Sequence, residues 1–343
     1  MPSEANLSPL AAERVCRESA SRPFDEAARS LNIDWKQDWD GKQMQRWSEA
    51  LGRGLVRRRD RECQAHREGQ YPAGPANVPQ LLVIGMDGGR WHGRTPDEQT
   101  GSCWREDKVL SVTSYLRGDG REGTAAAKPR PLVRTHVATS RDAGAFGAMA
   151  RVEAERRGYR QAEEVIALGD GGNWIDPLVE REFKVQARII DWFHAVEHLW
   201  DCAKAVHGPQ TPAGSAMAEE MEAWLWDGKV ERVIAKLTEH SERLGQPQEA
   251  DPGGHPRRVL QQNVGYFTRH REHMNYPEYR KRGWPIGSGE TEAAVKQFNK
   301  RVKGTEQRWE EEGIEPILSL RAQWISQDDR WTHYWANRPA YVK

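Results

Sequence analysis

Cysteine is scarce in this 343-residue chain and what there is lies scattered: Cys16, Cys63, Cys103 and Cys202 form no C-x-x-C pair. That spacing excludes a zinc ribbon, a thioredoxin-type redox motif and a disulfide framework, and leaves reduced thiols that behave mostly as small buried hydrophobes. Long apolar runs are absent too. No stretch approaches the roughly 20 residues that span a bilayer. The opening residues, MPSEANLSPLAAERVC, lack the basic-then-apolar order of a secretory signal, so the cytoplasm is the expected compartment. Internal repeats and low-complexity tracts are missing. So is a net charge: 51 Lys and Arg balance 51 Asp and Glu, and a balanced total taken alone argues against a nucleic-acid partner. The local distribution argues the other way. Five arginines fall between Arg53 and Arg61, and basic clusters recur at 269–282 and 296–308. Any one such cluster also reads as an ordinary solvated face.

What is present falls into blocks. Residues 1–65 read as helical. Phe24, Ala27, Ala28 and Leu31 recur at helical spacing, a break is expected at Asn32-Ile33, and Met44, Trp47 and Leu51 supply another apolar stripe. Two short helices followed by Arg57, Arg58 and Arg59 fit a helix-turn-helix that docks on DNA, and fit a helical packing or dimerisation unit equally well. The Pro/Gly-containing stretch 66–80 reads as a linker. After it the pattern changes. Leu81 to Ile84, Lys108 to Tyr115, Leu132 to Thr139, Glu164 to Leu168 and Ala187 to Ile190 are strand candidates, joined by turns such as Gly118 to Gly123, with helical periodicity from about Ala143 to Arg157. Three strands, a helix, a strand, a helix and a strand is the order of an RNase H-like core over 81–192, an α/β fold, although the spacing alone fits other α/β folds. From 193 to 282 the strand signals stop, and stripes such as Met217, Met221, Trp224 and Leu225 predict an all-α insertion. Residues 283–343 complete the core with a further helix and a tail.

Candidate chemistry lies in the carboxylates. Asp87 and Asp170 share a context: each follows an apolar strand and precedes glycines, in GMDGG and LGDGG. A carboxylate at the C-terminal edge of a strand, beside small residues, reaches a shared cleft and lets a phosphate backbone approach. Asp-Gly is also a common turn. Glu292 falls just inside a helix expected from near Ser288, on a polar stripe with Lys296, Asn299 and Lys303, while Val295, Phe298 and Val302 form an adjacent stripe that packs on the sheet. There Glu292 is available as a third oxygen ligand, and Lys296 and Lys303 would face phosphates. The plainer reading is a carboxylate stabilised by the helix dipole. Three carboxylates suit Mg²⁺ or Mn²⁺, and two such ions support an in-line displacement at phosphorus. The segment from Asp191 to His198 admits more than one reading. His194-x-x-Glu197-His198 is the H-x-x-E-H pattern of inverzincin metallopeptidases, which would bind zinc. Asp191-x-x-His194 is a different motif, and the histidines of a purely structural helix satisfy the spacing as well.

Taken in order, strand-Asp87-Gly-Gly, Gly-Asp170-Gly-Gly-Asn-Trp174-Ile, Asp191-Trp-Phe-His194-x-x-Glu-His-Leu, and Gly287-Ser-Gly-x-x-Glu292 followed by Arg-x-Lys-Gly-x-x-x-Arg308-Trp309 resemble the bacterial insertion-sequence transposases of the ISKra group, relatives of the Mutator-like superfamily. The resemblance spans roughly residues 7–340. It implies a DDE catalytic core of RNase H-like fold, with Asp87, Asp170 and Glu292 as triad and metal ligands and Mg²⁺ or Mn²⁺, two ions, as cofactor. Position 290 is also Glu, and the Gly-Ser-Gly-x-x-Glu register selects Glu292. Asp191 and His194 fit the superfamily's C/D-x-x-H motif, an accessory of the DNA site. The implied partners are double-stranded DNA, both the element's terminal inverted repeats and the target, and a homo-oligomer that synapses two ends. Arg57, Arg58, Arg59, Lys296, Arg301, Lys303 and Arg308 are the residues expected to meet DNA. Trp309 either stacks on a flipped or unpaired base or belongs to the core. A domesticated, non-catalytic DNA-binding protein would share the fold; the presence of all three carboxylates counts against it.

Overall fold

A computed structural model of the chain describes residues 7–97, 100–118, 128–304 and 307–337. Of the turn expected at Gly118 to Gly123, all but the first residue lies outside the described residues. Five strands, β1 (Leu81–His92), β2 (Trp104–Leu116), β3 (Arg130–Thr139), β4 (Glu164–Gly169) and β5 (Ala187–Ile190), form one sheet in the order β3-β2-β1-β4-β5. β2 runs antiparallel to both its neighbours, and β1, β4 and β5 are parallel. Helix α4 (Ala143–Arg156) connects β3 to β4, and α5 (Ile175–Glu182) connects β4 to β5. This is the RNase H-like arrangement that the element order implied. Side chains alternate along β1 as a pleated strand requires: Leu82, Ile84 and Met86 are buried with α4 and α5, while Leu81 and Val83 enter the core of the opposite face.

One strand departs from its expected length. β1 does not stop before Asp87 but continues to His92. It pairs with β2 from Leu81↔Tyr115 to His92↔Trp104, whereas its ladder with β4 ends at Met86↔Gly169. Gly88 and Gly89 are poor strand formers and mask the extension, which the antiparallel hydrogen bonds of β2 sustain. Asp87 is thus the first residue beyond the parallel ladder rather than the last of a strand.

Ahead of the sheet lie α1 (Pro9–Ser21), α2 (Phe24–Trp35) and α3 (Gly41–Arg67). The break expected at Asn32-Ile33 does not occur. α2 runs through it and ends where Lys36 turns left-handed, at φ 53°. The Asn32 side chain instead brackets the next turn, accepting from the Trp39 N–H at 2.9 Å and donating to the Trp39 carbonyl at 2.8 Å. A capping box of Asp40 and Gln43 starts α3. The apolar faces of these helices share one core with α11 (Gly289–Val302) and α12 (Glu311–Ile325). Between β5 and α11 the chain is helical: α6 (Trp192–His207), α7 (Pro212–Trp226), α8 (Val230–Leu244), α9 (Pro256–His270), a 3-10 turn at Arg271–His273, and α10 (Tyr276–Lys281). Leu199, Met221, Val233, Leu237 and Phe267 fill the core of this insertion, which is continuous with β4 and β5. The short α13 (Arg330–Ala336) follows α12. Among the described residues no helix is long and apolar enough to cross a membrane.

Candidate active site

The sheet sets the two aspartates side by side. Asp170 follows Gly169, the last residue of β4, whose partner on β1 is Met86; Asp87 is the next residue after Met86. Each carboxylate is steadied by glycine backbone. Asp87 Oδ1 accepts from the Gly88 N–H at 2.6 Å, and Asp170 Oδ1 from the Gly172 N–H at 2.9 Å. Tyr266 of α9 pins the second turn by donating its hydroxyl to the Asp170 carbonyl at 3.0 Å.

Glu292 arrives on α11, which lies across the same face of the sheet. A side chain at Gly85 would collide with Thr291 Oγ1, so the bare backbone of β1 forms a notch that admits Thr291. That close approach brings the following residue, Glu292, into the field of Asp87. Glu290 is committed elsewhere, to Arg134 on β3 at 2.7 Å. Of the two glutamates, Glu292 is thus the one whose charge acts on Asp87.

Burial, then the charge of Asp170, push the Asp87 carboxyl up from 3.8 to about 6, and Glu292 adds to the repulsion; the Gly88 N–H and His194 oppose it. A carboxyl raised in the folded state contributes stability below its unfolded value and loses it as pH rises through about 6. In metal-free protein at pH 7.5, ionised Asp87 therefore costs about 2–3 kcal/mol. Asp87→Asn should raise the melting temperature in EDTA at that pH, and an unchanged or lower one would count against this strain.

Mutually repelling carboxylate oxygens are the donor chemistry of a hard divalent cation. Among the described residues, however, no three His, Cys, Asp or Glu side chains are gathered closely enough to hold an ion. Glu292 Oε2 instead accepts from Lys296 Nζ at 2.8 Å. Cation binding here would have to displace Lys296 and rotate side chains inward.

Asp191 occupies a different role from the triad. It is buried at the end of β5, and Oδ1 caps α6 by accepting from the His194 N–H at 2.8 Å. Its Oδ2 accepts from the Ser288 N–H, and the Trp192 N–H donates to the Ile286 carbonyl at 2.8 Å. Asp191 thus straps the segment just ahead of α11 to the start of α6, holding the helix that carries Glu292. Asp191→Ala loses a cap and leaves the Ser288 N–H unpaired, at a cost of about 2–4 kcal/mol. Denaturant unfolding would check this; a change below about 0.5 kcal/mol would show the strap to be idle.

His194 is half-exposed and lies close enough to Asp87 to act on its charge. Its H-x-x-E-H partner His198 is otherwise engaged: Nδ1 bonds Asn263 Oδ1 at 2.6 Å and the ring stacks on Tyr266 at 4.1 Å. Glu197 points into solvent, and no third donor gathers with the two histidines among the described residues. That geometry does not assemble the zinc pattern among the described residues.

The expected DNA contacts divide. Lys296, Lys303 and Arg308 are exposed. Arg57 and Arg58 are exposed as well, Arg58 pairing with Glu62 at 3.0 Å. They line a cavity of about 1030 Å³ with Arg156, Arg330 and His333, and none of the three triad carboxylates lines it. Three residues are corrected. Arg59 is largely buried and bound to Glu315 at 2.7 Å. Arg301 is 1% exposed, donates to the Ser19 carbonyl, and lies 4.7 Å from the Phe24 ring and 5.0 Å from that of Trp309. Burial and Arg321 lower it to about 9. Trp309 is buried and donates Nε1–H to the Val302 carbonyl at 2.9 Å. The reason is helical phase: at about 100° per residue, Arg301 stands about 180° round α11 from Glu292, whereas Lys303 returns to within about 20° of it.

Sequence reasoning missed Thr291 and Asp107. The second sits between Glu106 and Lys108 and reads as part of a surface charge run, yet it is wholly buried. Burial, against its own backbone N–H, pushes its carboxyl up to about 7.

No family model matches the chain, and no curated protein does. Among solved structures it is similar to the Drosophila P element transposase strand transfer complex, at a TM-score of 0.40 and 8% identity over 93% of this chain and 92% of that one. A likeness so distant assigns no activity.

Proposed function

We propose that this chain is a DNA transposase of the ISKra type, which cleaves phosphodiester bonds at the ends of a mobile element and joins the freed 3′-hydroxyls to target DNA. One observation carries the reading. Asp87, Asp170 and Glu292, from the end of the parallel ladder of two adjacent strands and from a helix docked in the Gly85 notch, share one electrostatic site, in which burial first, then the charge of Asp170 and last that of Glu292 raise the Asp87 carboxyl. Mg²⁺ or Mn²⁺ held by these three residues would activate the attacking hydroxyl and stabilise the leaving oxygen.

The protein's own groups do the rest. Asp87 and Asp170 stay oriented by the N–H groups of Gly88 and Gly172. Asp191 keeps α11 seated, and the glycines after each aspartate leave room for a phosphate backbone. Lys296, Lys303 and Arg308 form the exposed ridge that meets phosphates, giving salt-dependent affinity. End recognition falls to α1–α3 with Arg57 and Arg58, and two ends are brought together by a homo-oligomer.

The test is incubation of the purified protein with duplexes bearing the inverted repeats that flank its coding region, with Mg²⁺ or Mn²⁺. Nicking at the repeat boundary followed by joined products is expected. Binding of the repeats with no nicking under either ion would identify a non-catalytic DNA-binding protein instead.

A further inference from the structure

Helix α11 leaves the carboxylates in step with β1. Thr291 sits in the Gly85 notch, Asn299 Oδ1 accepts from the Arg90 N–H at 3.5 Å, and the Lys303 ammonium stands 5.4 Å from the centre of the Trp104 ring. Trp104 opens β2 opposite His92, the last residue of β1, and meets that imidazole edge to face at 4.9 Å and 82°. Helix and strand therefore run side by side, from Glu292 and Asp87 at one end to Lys303 and His92 at the other. At about 1.5 Å per residue the helix covers about 16 Å between Glu292 and Lys303. At about 3.4 Å per residue β1 covers about 17 Å between Asp87 and His92. The two tracks are equally long, both end on Trp104, and β4 has already left β1 at Met86.

Trp104 is 44% exposed, more than any other tryptophan, and belongs to none of the three apolar cores. Core packing therefore does not account for an indole here, and its neighbours hold the ring in place without covering it. The surface round it is basic. Arg90, Lys303 and Arg308 are exposed, whereas Glu106 is bonded to Lys108 at 3.1 Å and Glu310 is paired with Arg94 at 3.7 Å. A cationic track that ends on a fixed, exposed ring is the combination that holds a single strand of nucleic acid, the charges following the backbone and the ring stacking on a base.

We propose that the groove between α11 and the outer half of β1 carries one DNA strand away from the carboxylates unpaired, and that a base of that strand stacks on Trp104. This rests on the reading of Asp87 and Glu292 as the place of strand cleavage, and the binding itself requires no ion there. At about 3.4 Å between neighbouring phosphates, the stacked base lies about five nucleotides from the phosphate at the carboxylates. Lys303, on its flexible four-carbon stem, moves from the ring to a phosphate as the base takes its place. The stacking role that the sequence offered to Trp309, which is buried, belongs to Trp104.

The experiment is fluorescence anisotropy of a short labelled oligothymidylate, single-stranded or paired with oligoadenylate, bound to the full chain in EDTA at low and high salt. Trp104→Ala is expected to bind the single strand about 10-fold or more weakly at both salt concentrations, Trp104→Phe to recover most of that loss, and duplex affinity to stay near wild type. Lys303→Gln should instead flatten the salt dependence, by about 0.7 in the slope of log affinity against log salt. Wild-type single-strand affinity in Trp104→Ala overturns the proposal, and so does an equal loss on duplex. Should Trp104→Ala not fold, cross-linking of the wild-type protein decides. A 5-iododeoxyuridine placed about five nucleotides from the repeat boundary, in a single-stranded overhang, should couple to Trp104, and coupling only to other residues overturns the proposal. Cleavage of end DNA by wild type, together with unchanged single-strand affinity in Trp104→Ala, overturns this proposal and leaves the transposase reading standing. Selective loss in Trp104→Ala, with no cleavage by wild type under either metal, supports the stacking site and overturns the transposase reading instead.

Discussion

Asp87→Asn, Asp170→Asn and Glu292→Gln will each lower strand cleavage on element-end DNA by at least about 10²–10³-fold, the size expected when a group that stabilises transition-state charge is removed. Each substitution keeps side-chain volume and removes only the negative charge. Affinity for the same DNA should hold or rise, because a repulsion of phosphate is removed. Glu290→Gln is the internal control. It lies two residues away on the same helix turn but pairs with Arg134, so its cleavage should stay near wild type. The pH profile supplies a second check. Since Asp87 titrates at about 6 and only its ionised form binds a cation, cleavage at fixed, subsaturating Mg²⁺ should fall as pH drops through 6. Wild-type rates in all three variants would remove the triad from the mechanism.

Arg330→Met will destabilise the fold by about 3–5 kcal/mol, because it strands a buried charge rather than merely losing a contact. Glu153 on α4 is 1% exposed. It receives Arg330 from α13 at 2.5 Å and Arg156 at 2.6 Å. Burial pushes the Glu153 carboxyl up, but Arg330 and then Arg156 more than offset it and hold it well below the usual carboxylate range. A depressed carboxyl stabilises the fold above its unfolded value near 4.5, and that stability is lost as pH falls below it. Urea titrations at pH 7 should therefore show the full loss in Arg330→Met, and the gap from wild type should narrow toward pH 3. Glu153→Gln in the Arg330→Met background should recover part of it, since the stranded charge is gone. A loss under about 1 kcal/mol at pH 7 would mean that water reaches the pair. Neither residue belongs to the carboxylate site, so folded Arg330→Met protein should still cleave.

The features legible in the sequence are those that repeat at short range. Alternation marked the strands, the polar and apolar stripes oriented α11, and the glycines after Asp87 and Asp170 marked backbone that something must approach closely. These signals depend on nearest neighbours along the chain, and they survive in the fold. The N-terminal helices share a core with α12, and Arg59 is consumed by a glutamate 256 residues away, a partner that no local window contains. Arg301 looked like part of a basic surface, and Trp309 stayed open between a base-stacking and a core role, because their burial depends on α1 and α2 closing over α11. Asp191 had the composition of a motif, but its work, capping α6 with one oxygen and holding Ser288 with the other, exists only once β5 and α11 meet.

For the proposed triad, the sequence by itself singled out the two aspartates and the helix face, because strand and helix periods are set by the backbone alone. Tertiary structure decided where they stand. β1 runs on past Asp87 because β2 accompanies it. Glu292 comes within the electrostatic field of Asp87 because Gly85 leaves a notch for Thr291. Asp107 became visible only when its strand was paired with β1, since register across a sheet is settled by packing and not by the residues on either side of it.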